Sequence, residues 1–200
     1  MNSLKKVLLI NTHLTYPHWS EGTLNASFHK TAKTYFEGKN YEILETIVEA
    51  GYDADEEVEK HLQADIIILQ TPVNWFGAPW IYKKYVDEVF NNGLQGKKFL
   101  DGDGRTTEDL SRQYGTGGNL KSKKFMVSAT WNAPSAAFDD PNQILFQGRS
   151  TADFFIPITS NYLFCGVEIL PDYNCFDIFK DGDIAKDLES YPTHLERILT

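Results

Sequence analysis

The sequence is poor in cysteine and has no long apolar run. Its 200 residues include two cysteines, Cys165 and Cys175, too few for a disulfide scaffold, so we expect free thiols in a reducing compartment. The apolar run at residues 7–10 is shorter than the roughly 7–15 residues of a signal-peptide core. No run approaches the roughly 20 apolar residues of a membrane-spanning helix. These absences predict a cytoplasmic protein.

Basic residues are outnumbered by acidic ones. The chain has 19 Lys and Arg against 28 Asp and Glu, which gives a net charge of -9. So acidic a surface repels phosphate backbones and anionic lipids, and binding to nucleic acid or to a membrane is not expected. The 42% of hydrophobic and 24% of charged residues are ordinary for a globular protein,. The length predicts one domain, residues 1–200.

Several catalytic signatures are missing. No G-x-x-x-x-G-K-[ST] loop and no G-x-G-x-x-G occurs, so neither a P-loop nor a classical dinucleotide domain is predicted. No G-x-S-x-G nucleophile elbow is present either,. The five histidines show no i, i+4 pairing and have no cysteine beside them, so no metal site is predicted.

Apolar runs alternate with amphipathic helical patterns along the chain. The predicted strands are residues 7–11, 41–47, 66–69, 125–129 and 167–170. We expect Pro157 to kink or shorten the fourth helix and Pro192 to divide the last one. The alternation predicts an α/β protein with a doubly wound five-stranded parallel sheet and helices on both faces. Residues 91–121 form a long loop with seven glycines, which is typical of functional or mobile segments.

Three loops are candidates for a binding site, because ligands bind beyond the carboxyl ends of strands in such a sheet. The loop after the first strand ends in residues 20–25, whose hydroxyls and backbone N–H groups suit either an anion site or a plain helix cap. Residues 71–80 and 130–134, after the third and fourth strands, combine aromatic rings with amides. Together the three loops would surround a flat, polar-edged ring attached to phosphate, as in a flavin nucleotide.

The strings at these loops resemble a known family. They are S-E-G-T-L-N at 20–25, G-A-P-W at 77–80, D-G-D-G-R-T at 101–106, Y-G-T-G-G at 114–118 and T-W-N-A-P at 130–134. In these strings, in order and over nearly the whole chain, the sequence resembles the flavodoxin-fold NAD(P)H:quinone oxidoreductases. Among them it is most similar to the modulator of drug activity B proteins.

The resemblance implies a cytoplasmic homodimer that binds FAD tightly without a covalent bond. It implies a two-electron, ping-pong reaction in which hydride passes from NADPH to quinones. It implies that the FAD phosphates are held by Ser20, Glu21, Gly22, Thr23, Leu24, Asn25, Ala26 and Ser27. It implies that the isoalloxazine ring is held by Val73, Asn74, Trp75, Phe76, Thr130, Trp131, Asn132 and Ala133, and that Tyr114 completes the FAD site.

One position departs from the family. Close relatives have a histidine where this chain has Gln147, and more distant relatives place a tyrosine and a histidine near the flavin, in the region of Phe138 and Gln147. A glutamine cannot act as a general acid near neutral pH, so a proton relay through this position is not expected. No catalytic side chain is predicted, because the flavin carries the chemistry.

Two other functions stay open. Reduction of azo or nitro compounds would use the same flavin. A flavodoxin-like carrier of single electrons would use its negative charge to dock to a basic partner.

The aromatic residues of the loops are a second reason to expect a homodimer. A monomer would expose many of them, which a two-fold dimer would cover, unless they pack within their own chain. They are Trp75, Phe76, Trp80, Trp131, Phe138 and Phe146.

Overall fold

Strands and helices alternate in the predicted order. A computed structural model describes residues 4–180 and 182–199. The strands are β1 (Lys6–Asn11), β2 (Glu42–Ile47), β3 (Ile66–Pro72), β4 (Lys124–Thr130), β5 (Glu168–Ile169) and β6 (Tyr173–Cys175). The helices are α1 (Thr23–Gly38), α2 (Ala54–Gln63), α3 (Trp80–Gln95), α4 (Thr151–Phe164) and α5 (Ile184–Leu199).

The sheet is parallel, in the order β2-β1-β3-β4-β5, and β6 also pairs with β4. The chain runs outward from β1 to β2 and then returns to build the other side from β3. The strand order therefore reverses between β1 and β3, where ligands bind in sheets of this kind. The predicted doubly wound α/β fold is confirmed.

The strands β5 and β6 form one edge strand that contains a bulge. Lys124 of β4 pairs with Glu168, whereas Ser128 pairs with Tyr173. Four steps along β4 thus correspond to five steps along the edge strand. Pro171, which has no N–H to donate, lies in the bulged stretch, as is common on edge strands. The predicted fifth strand is therefore present and continues past the bulge as β6.

Helices cover both faces of the sheet. The side chains of Leu8 and Ile10 face the core that α2, α3 and α4 cover, while Val7 and Leu9 face the core under α1 and α5. Both cysteines are buried free thiols, and burial raises the pKa of each to about 12, so they are poor nucleophiles. Within the described part of the chain, no helix has the length and apolar character needed to cross a membrane.

The prediction that Pro192 divides the last helix is wrong, because α5 is one continuous helix. Tyr191 and Leu195, on either side of the proline, are fully buried in the core under α1. This packing outweighs the roughly 3 kcal/mol that an interior proline costs. Pro157 likewise lies inside α4, where the Asn161 side-chain amide donates to the Pro157 carbonyl at 2.8 Å.

A buried carboxylate lies one helical turn from a buried histidine in α2. The Glu57 carboxylate accepts hydrogen bonds from Tyr85 at 2.6 Å, from Lys60 at 2.6 Å and from Thr46 at 2.8 Å. His61 is fully buried, and its Nδ1–H donates to the Glu57 carbonyl at 2.8 Å. Burial lowers the pKa of His61 to about 4, so its imidazole is neutral in the folded protein at pH 7.

We predict that His61 makes the folded state less stable as pH falls below about 6.5. In the unfolded chain His61 binds a proton near pH 6.5, whereas in the folded chain it binds a proton only near pH 4. Between these values the unfolded state binds more protons, so this residue lowers the free energy of unfolding by up to about 1.4 kcal/mol per pH unit. Urea unfolding from pH 7 to pH 4.5 should show a flatter slope for His61→Phe. The exposed control His18→Gln should keep the wild-type slope, and an unchanged slope in His61→Phe would contradict the prediction.

Candidate cofactor site

A cleft of about 770 Å³ opens at the carboxyl edge of the sheet, where the loops after β1, β3 and β4 meet. It brings together nine of the predicted site residues. They are Ser20, Val73, Asn74, Trp75, Phe76, Thr130, Trp131, Asn132 and Ala133. The remaining residues of the first loop, 21–27, continue from Ser20 into α1.

The start of α1 leaves five consecutive backbone N–H groups without an acceptor. The first helical hydrogen bond runs from the N–H of Ala26 to the carbonyl of Gly22 at 2.8 Å, and no described group accepts from the N–H groups of residues 21–25. Gly22 is the N-cap, and no side chain caps the helix. Free N–H groups and the helix dipole give this end of α1 a positive potential that suits an anion.

Position 22 has room for glycine only, because the ring of His13 packs against it. Its φ of 76° is left-handed, and a Cβ atom at this position would lie 2.5 Å from Nδ1 of His13. The other ring nitrogen of His13, Nε2, is 3.2 Å from the hydroxyl oxygen of Ser20. Burial lowers the pKa of His13, which favours a neutral ring at pH 7. The ring thus fixes both the path of the chain through Gly22 and the position of Ser20.

Three buried amide side chains hold the start of α1 against the sheet. The Oδ1 atom of Asn11 accepts from the side-chain amide of Asn25 at 2.7 Å and from the backbone N–H of His13 at 3.0 Å. The Oδ1 atom of Asn25 accepts from the side-chain amide of Gln70 at 3.0 Å. The Asn25 side chain is therefore engaged inside the protein, and only its backbone N–H is available to a ligand.

Trp75 and Phe76 are the two central residues of a tight turn. The backbone N–H of Asn74 donates to the Gly77 carbonyl at 2.8 Å, and the reverse bond is 3.1 Å long. Trp75 and Phe76 have φ angles of 47° and 68°, a conformation that costs side-chain-bearing residues energy and is often found at functional sites. Their N–H groups have no acceptor among the residues described. The turn therefore presents two free donors at the cleft.

The loop after β4 is held by Trp131. Its backbone N–H donates to a carbonyl of β6 at 2.8 Å, and its indole N–H donates to Oδ1 of Asn174 at 2.7 Å. The ring is buried, with its centroid 4.9 Å from that of Phe138, so it supports the loop and leaves the cleft to its backbone. The N–H groups of Asn132 and Ala133 have no acceptor in the described part of the chain.

The expected exposure of the loop aromatics is found for half of them. Trp75, Phe76 and Trp80 are exposed, but the prediction is wrong for three residues, which pack within their own chain: Trp131, Phe138 and Phe146. These three belong to one aromatic cluster under the cleft. Their burial explains how the loop after β4 keeps its shape.

Comparison with known proteins now gives the family. The family model of the flavodoxin-like fold matches residues 5–198. The chain belongs to this flavodoxin-like family. It is 38% identical over 192 residues to the NADPH:quinone oxidoreductase MdaB of Haemophilus influenzae, an alignment that covers 96% of this chain and 98% of that protein.

Solved structures share the flavodoxin-like fold. A structure described as a quinone reductase from Klebsiella pneumoniae has a TM-score of 0.77 at 22% identity, over 96% of this chain and 84% of that one. General stress protein 14 of Treponema denticola, solved in complex with FMN, has a TM-score of 0.64 at 18% identity, over 96% and 97% of the two chains. At these identities the likeness concerns the fold alone.

Tyr114 lies at the opposite edge of this flavodoxin-like sheet. Its ring centroid is 5.2 Å from that of Phe164, at the end of α4, and α4 leads into the amino end of β5. The seven residues of β4 span roughly 20 Å between that edge and the cleft. The Arg105 guanidinium lies 5.4 Å from the Tyr114 ring, which holds the exposed ring in place. The structure therefore does not bring Tyr114 to the cleft of its own chain.

Two segments that line the cleft were missed by the sequence analysis. Residues 143–146 and 178–180 contribute Gln143, Leu145, Phe146, Ile178, Phe179 and Lys180. The second segment reaches the cleft because the N–H of Ile178 donates to the Trp131 carbonyl and that of the preceding Asp177 donates to the Ala133 carbonyl. No local sequence motif predicts such a pairing, because it joins chain segments more than 40 residues apart.

The described residues that line the cleft carry few ionisable groups. Of the described residues that line it, Lys180 alone is titratable. Gln147 lies outside the lining and is exposed, and Phe138 is buried.

We predict that Gly22→Ala abolishes tight binding of a phosphate-bearing flavin. The left-handed φ costs an L-residue roughly 1–2 kcal/mol, and the new Cβ would displace His13. The control Gly38→Ala, at the other end of the same helix, has nothing within 4 Å and should bind flavin normally. Fluorescence titration with flavin, beside urea unfolding of both variants, is the measurement. A folded Gly22→Ala protein with wild-type flavin affinity would contradict the role of this loop.

Proposed function

We propose that this chain is an FAD-dependent NADPH:quinone oxidoreductase. The observation that carries the proposal is the row of free N–H groups at residues 21–25, beside a cleft with further free donors on two loops. The relative from Haemophilus influenzae, 38% identical over almost the whole chain and named as an NADPH:quinone oxidoreductase, supports the choice of donor and acceptor. We also propose that the protein acts in the cytoplasm.

The first loop fits the pyrophosphate of FAD. Five free N–H groups at the start of a helix are donors for phosphate oxygens, and two linked phosphates could share them,. Ser20, fixed by His13, adds a hydroxyl at the cleft. These donors suit a phosphate of either flavin nucleotide, and FAD rather than FMN, the ligand of the Treponema denticola neighbour, is proposed on the resemblance to the FAD-binding quinone oxidoreductases.

The other two loops fit the edge of an isoalloxazine ring. The N–H groups of Trp75, Phe76, Asn132 and Ala133 are fixed donors without acceptors among the residues described, and the ring carries oxygen and nitrogen acceptors along one edge. Donors held in place stabilise negative charge where it develops, without reorganisation during the reaction. The bound flavin would supply hydride transfer, and the protein would supply orientation and these dipoles.

The single cleft supports a ping-pong sequence. The nicotinamide and the quinone would occupy the same aromatic walls in turn, since the described chain offers one cleft at this edge of the sheet. The exposed rings of Trp75 and Phe76 are suited to contact flat substrates and to exclude water. Azo or nitro compounds would meet the same walls, whereas a single-electron carrier needs no cleft of this size for a second substrate.

Purified protein tests the proposal directly. We predict a yellow protein that releases FAD on denaturation, as identified by chromatography. In a stopped-flow instrument NADPH should reduce the flavin within the turnover time, and a quinone should reoxidise it by two electrons. Release of FMN would refute the FAD assignment, and slow reduction with rapid one-electron exchange would favour the carrier.

We further propose a homodimer in which each chain completes its partner's site. Tyr114 cannot reach the cleft of its own chain, yet it is exposed and held by Phe164 and Arg105. An apolar surface is available for pairing, because Ile156 and Leu163 lie exposed on α4. A two-fold dimer places equivalent surfaces together, and it can bring the far edge of one sheet to the cleft of the other.

Mixing two defective variants tests this arrangement. We predict a mass near twice 22.8 kDa by light scattering, weakened flavin binding in Tyr114→Ala and loss of tight flavin binding in Gly22→Ala. In a mixed dimer, the Tyr114→Ala chain keeps its own Gly22 and receives an intact Tyr114 from its partner. Random mixing makes about half of the dimers mixed, so about a quarter of the sites should regain tight binding. No recovery on mixing, or a flavin-loaded monomer, would refute the shared site.

A further inference from the structure

The described residues that line the cleft include a single charged side chain, that of Lys180. The other walls are aromatic, aliphatic or neutral polar groups. The protein as a whole carries a net charge of -9, which repels an anionic ligand at long range. A lone cation at the rim of such a cleft is therefore the natural contact for a negatively charged part of a substrate.

The backbone around Lys180 is fixed to the loop that carries the free donors. Residue 178 donates its N–H to the Trp131 carbonyl at 3.2 Å, and Asp177 donates to the Ala133 carbonyl at 3.1 Å. A turn then follows, in which the N–H of Lys180 donates to the Asp177 carbonyl at 3.1 Å. The backbone that carries the Lys180 side chain is thus held near the loop after β4 by these hydrogen bonds.

Among the described residues, the ammonium group of Lys180 has no ion-pair partner. The Asp183 carboxylate accepts a hydrogen bond from the backbone N–H of Lys186 at the start of α5. A phosphate would gain a charge-assisted contact without displacing an existing ion pair.

We propose that Lys180 binds a phosphate of the nucleotide that donates hydride. The inference rests on the proposed function, because the nicotinamide must lie in the cleft for the rest of the nucleotide to reach the rim. Two phosphate sources share this chemistry, the 2′-phosphate of NADPH and the pyrophosphate that NADPH and NADH have in common. If Lys180 contacts the 2′-phosphate, it determines the choice between NADPH and NADH.

The test compares Lys180→Met, Lys180→Arg and the control Lys186→Met in flavin-loaded protein. Lys186 is an exposed lysine on α5 outside the cleft lining, so its loss changes the net charge equally. Stopped-flow reduction at constant ionic strength gives the apparent Kd of each nucleotide. We expect Lys180→Met to raise the apparent Kd of NADPH about tenfold. Lys180→Arg should keep most of the affinity for NADPH, and Lys186→Met should have the wild-type Kd. An unchanged Kd for NADH in Lys180→Met assigns the 2′-phosphate, and an equal rise for both nucleotides assigns the pyrophosphate.

Calorimetry with NADP⁺ provides a second readout that needs no turnover. Wild-type affinity of Lys180→Met for both nucleotides, or an equal loss in Lys186→Met, would overturn the role of Lys180. If neither nucleotide reduces the wild-type flavin, the proposed function fails. That outcome is distinct from failure of the Lys180 assignment, in which wild type and variant are reduced alike.

Discussion

The hydrogen bonds among Asn11, Asn25 and Gln70 are the interaction on which the candidate site depends. They join β1, β3 and α1 at the carboxyl edge of the sheet, where the strand order reverses. Each amide is buried, and leaving one unpaired would cost about 1–3 kcal/mol. The network therefore sets the distance of the first turn of α1 from the strands. The free N–H groups at residues 21–25 keep their place beside Ser20, which lines the cleft, because this turn is fixed.

Side chains and backbone have separate tasks around the cleft. Side chains such as those of His13, Asn25 and Trp131 are buried and hold the loops in position. Several backbone N–H groups of the same loops have no acceptor among the described residues, so the donors for a ligand come from the main chain. Such a site tolerates changes of exposed side chains but is sensitive to any residue that alters the path of the backbone, as at Gly22.

The fold could be predicted because its signals are local. Apolar runs and helical stripes fix the order of elements, and that order determines the sheet. The sequence shows the cost of Pro192 inside α5 but not the packing that outweighs it. Tyr191 and Leu195 are buried in the core under α1, so α5 is continuous although the proline predicts a break. Tertiary packing, not propensity, decides such cases.

The site was predicted in part for the same reason. Loops that directly follow strands were identified, since their place at the sheet edge follows from topology. The burial of the Trp131 ring and the arrival of Lys180 at the cleft depend on contacts with distant chain segments. The position of Tyr114 at the far edge follows from the connection between α3 and β4, which begins and ends at the amino side of the strands.

The bulge in the edge strand has a consequence for how this family can vary in length. Leu170 and Cys175 are five residues apart, yet both face the core under α1 and α5. Strict alternation would place them on opposite faces, and the extra residue near Pro171 restores the match. An insertion or deletion of two residues here keeps the alternation of side chains, whereas a change of one residue does not. A one-residue change would turn Asn174 away from Trp131 and would move each following side chain, up to the cleft, to the opposite face of the sheet.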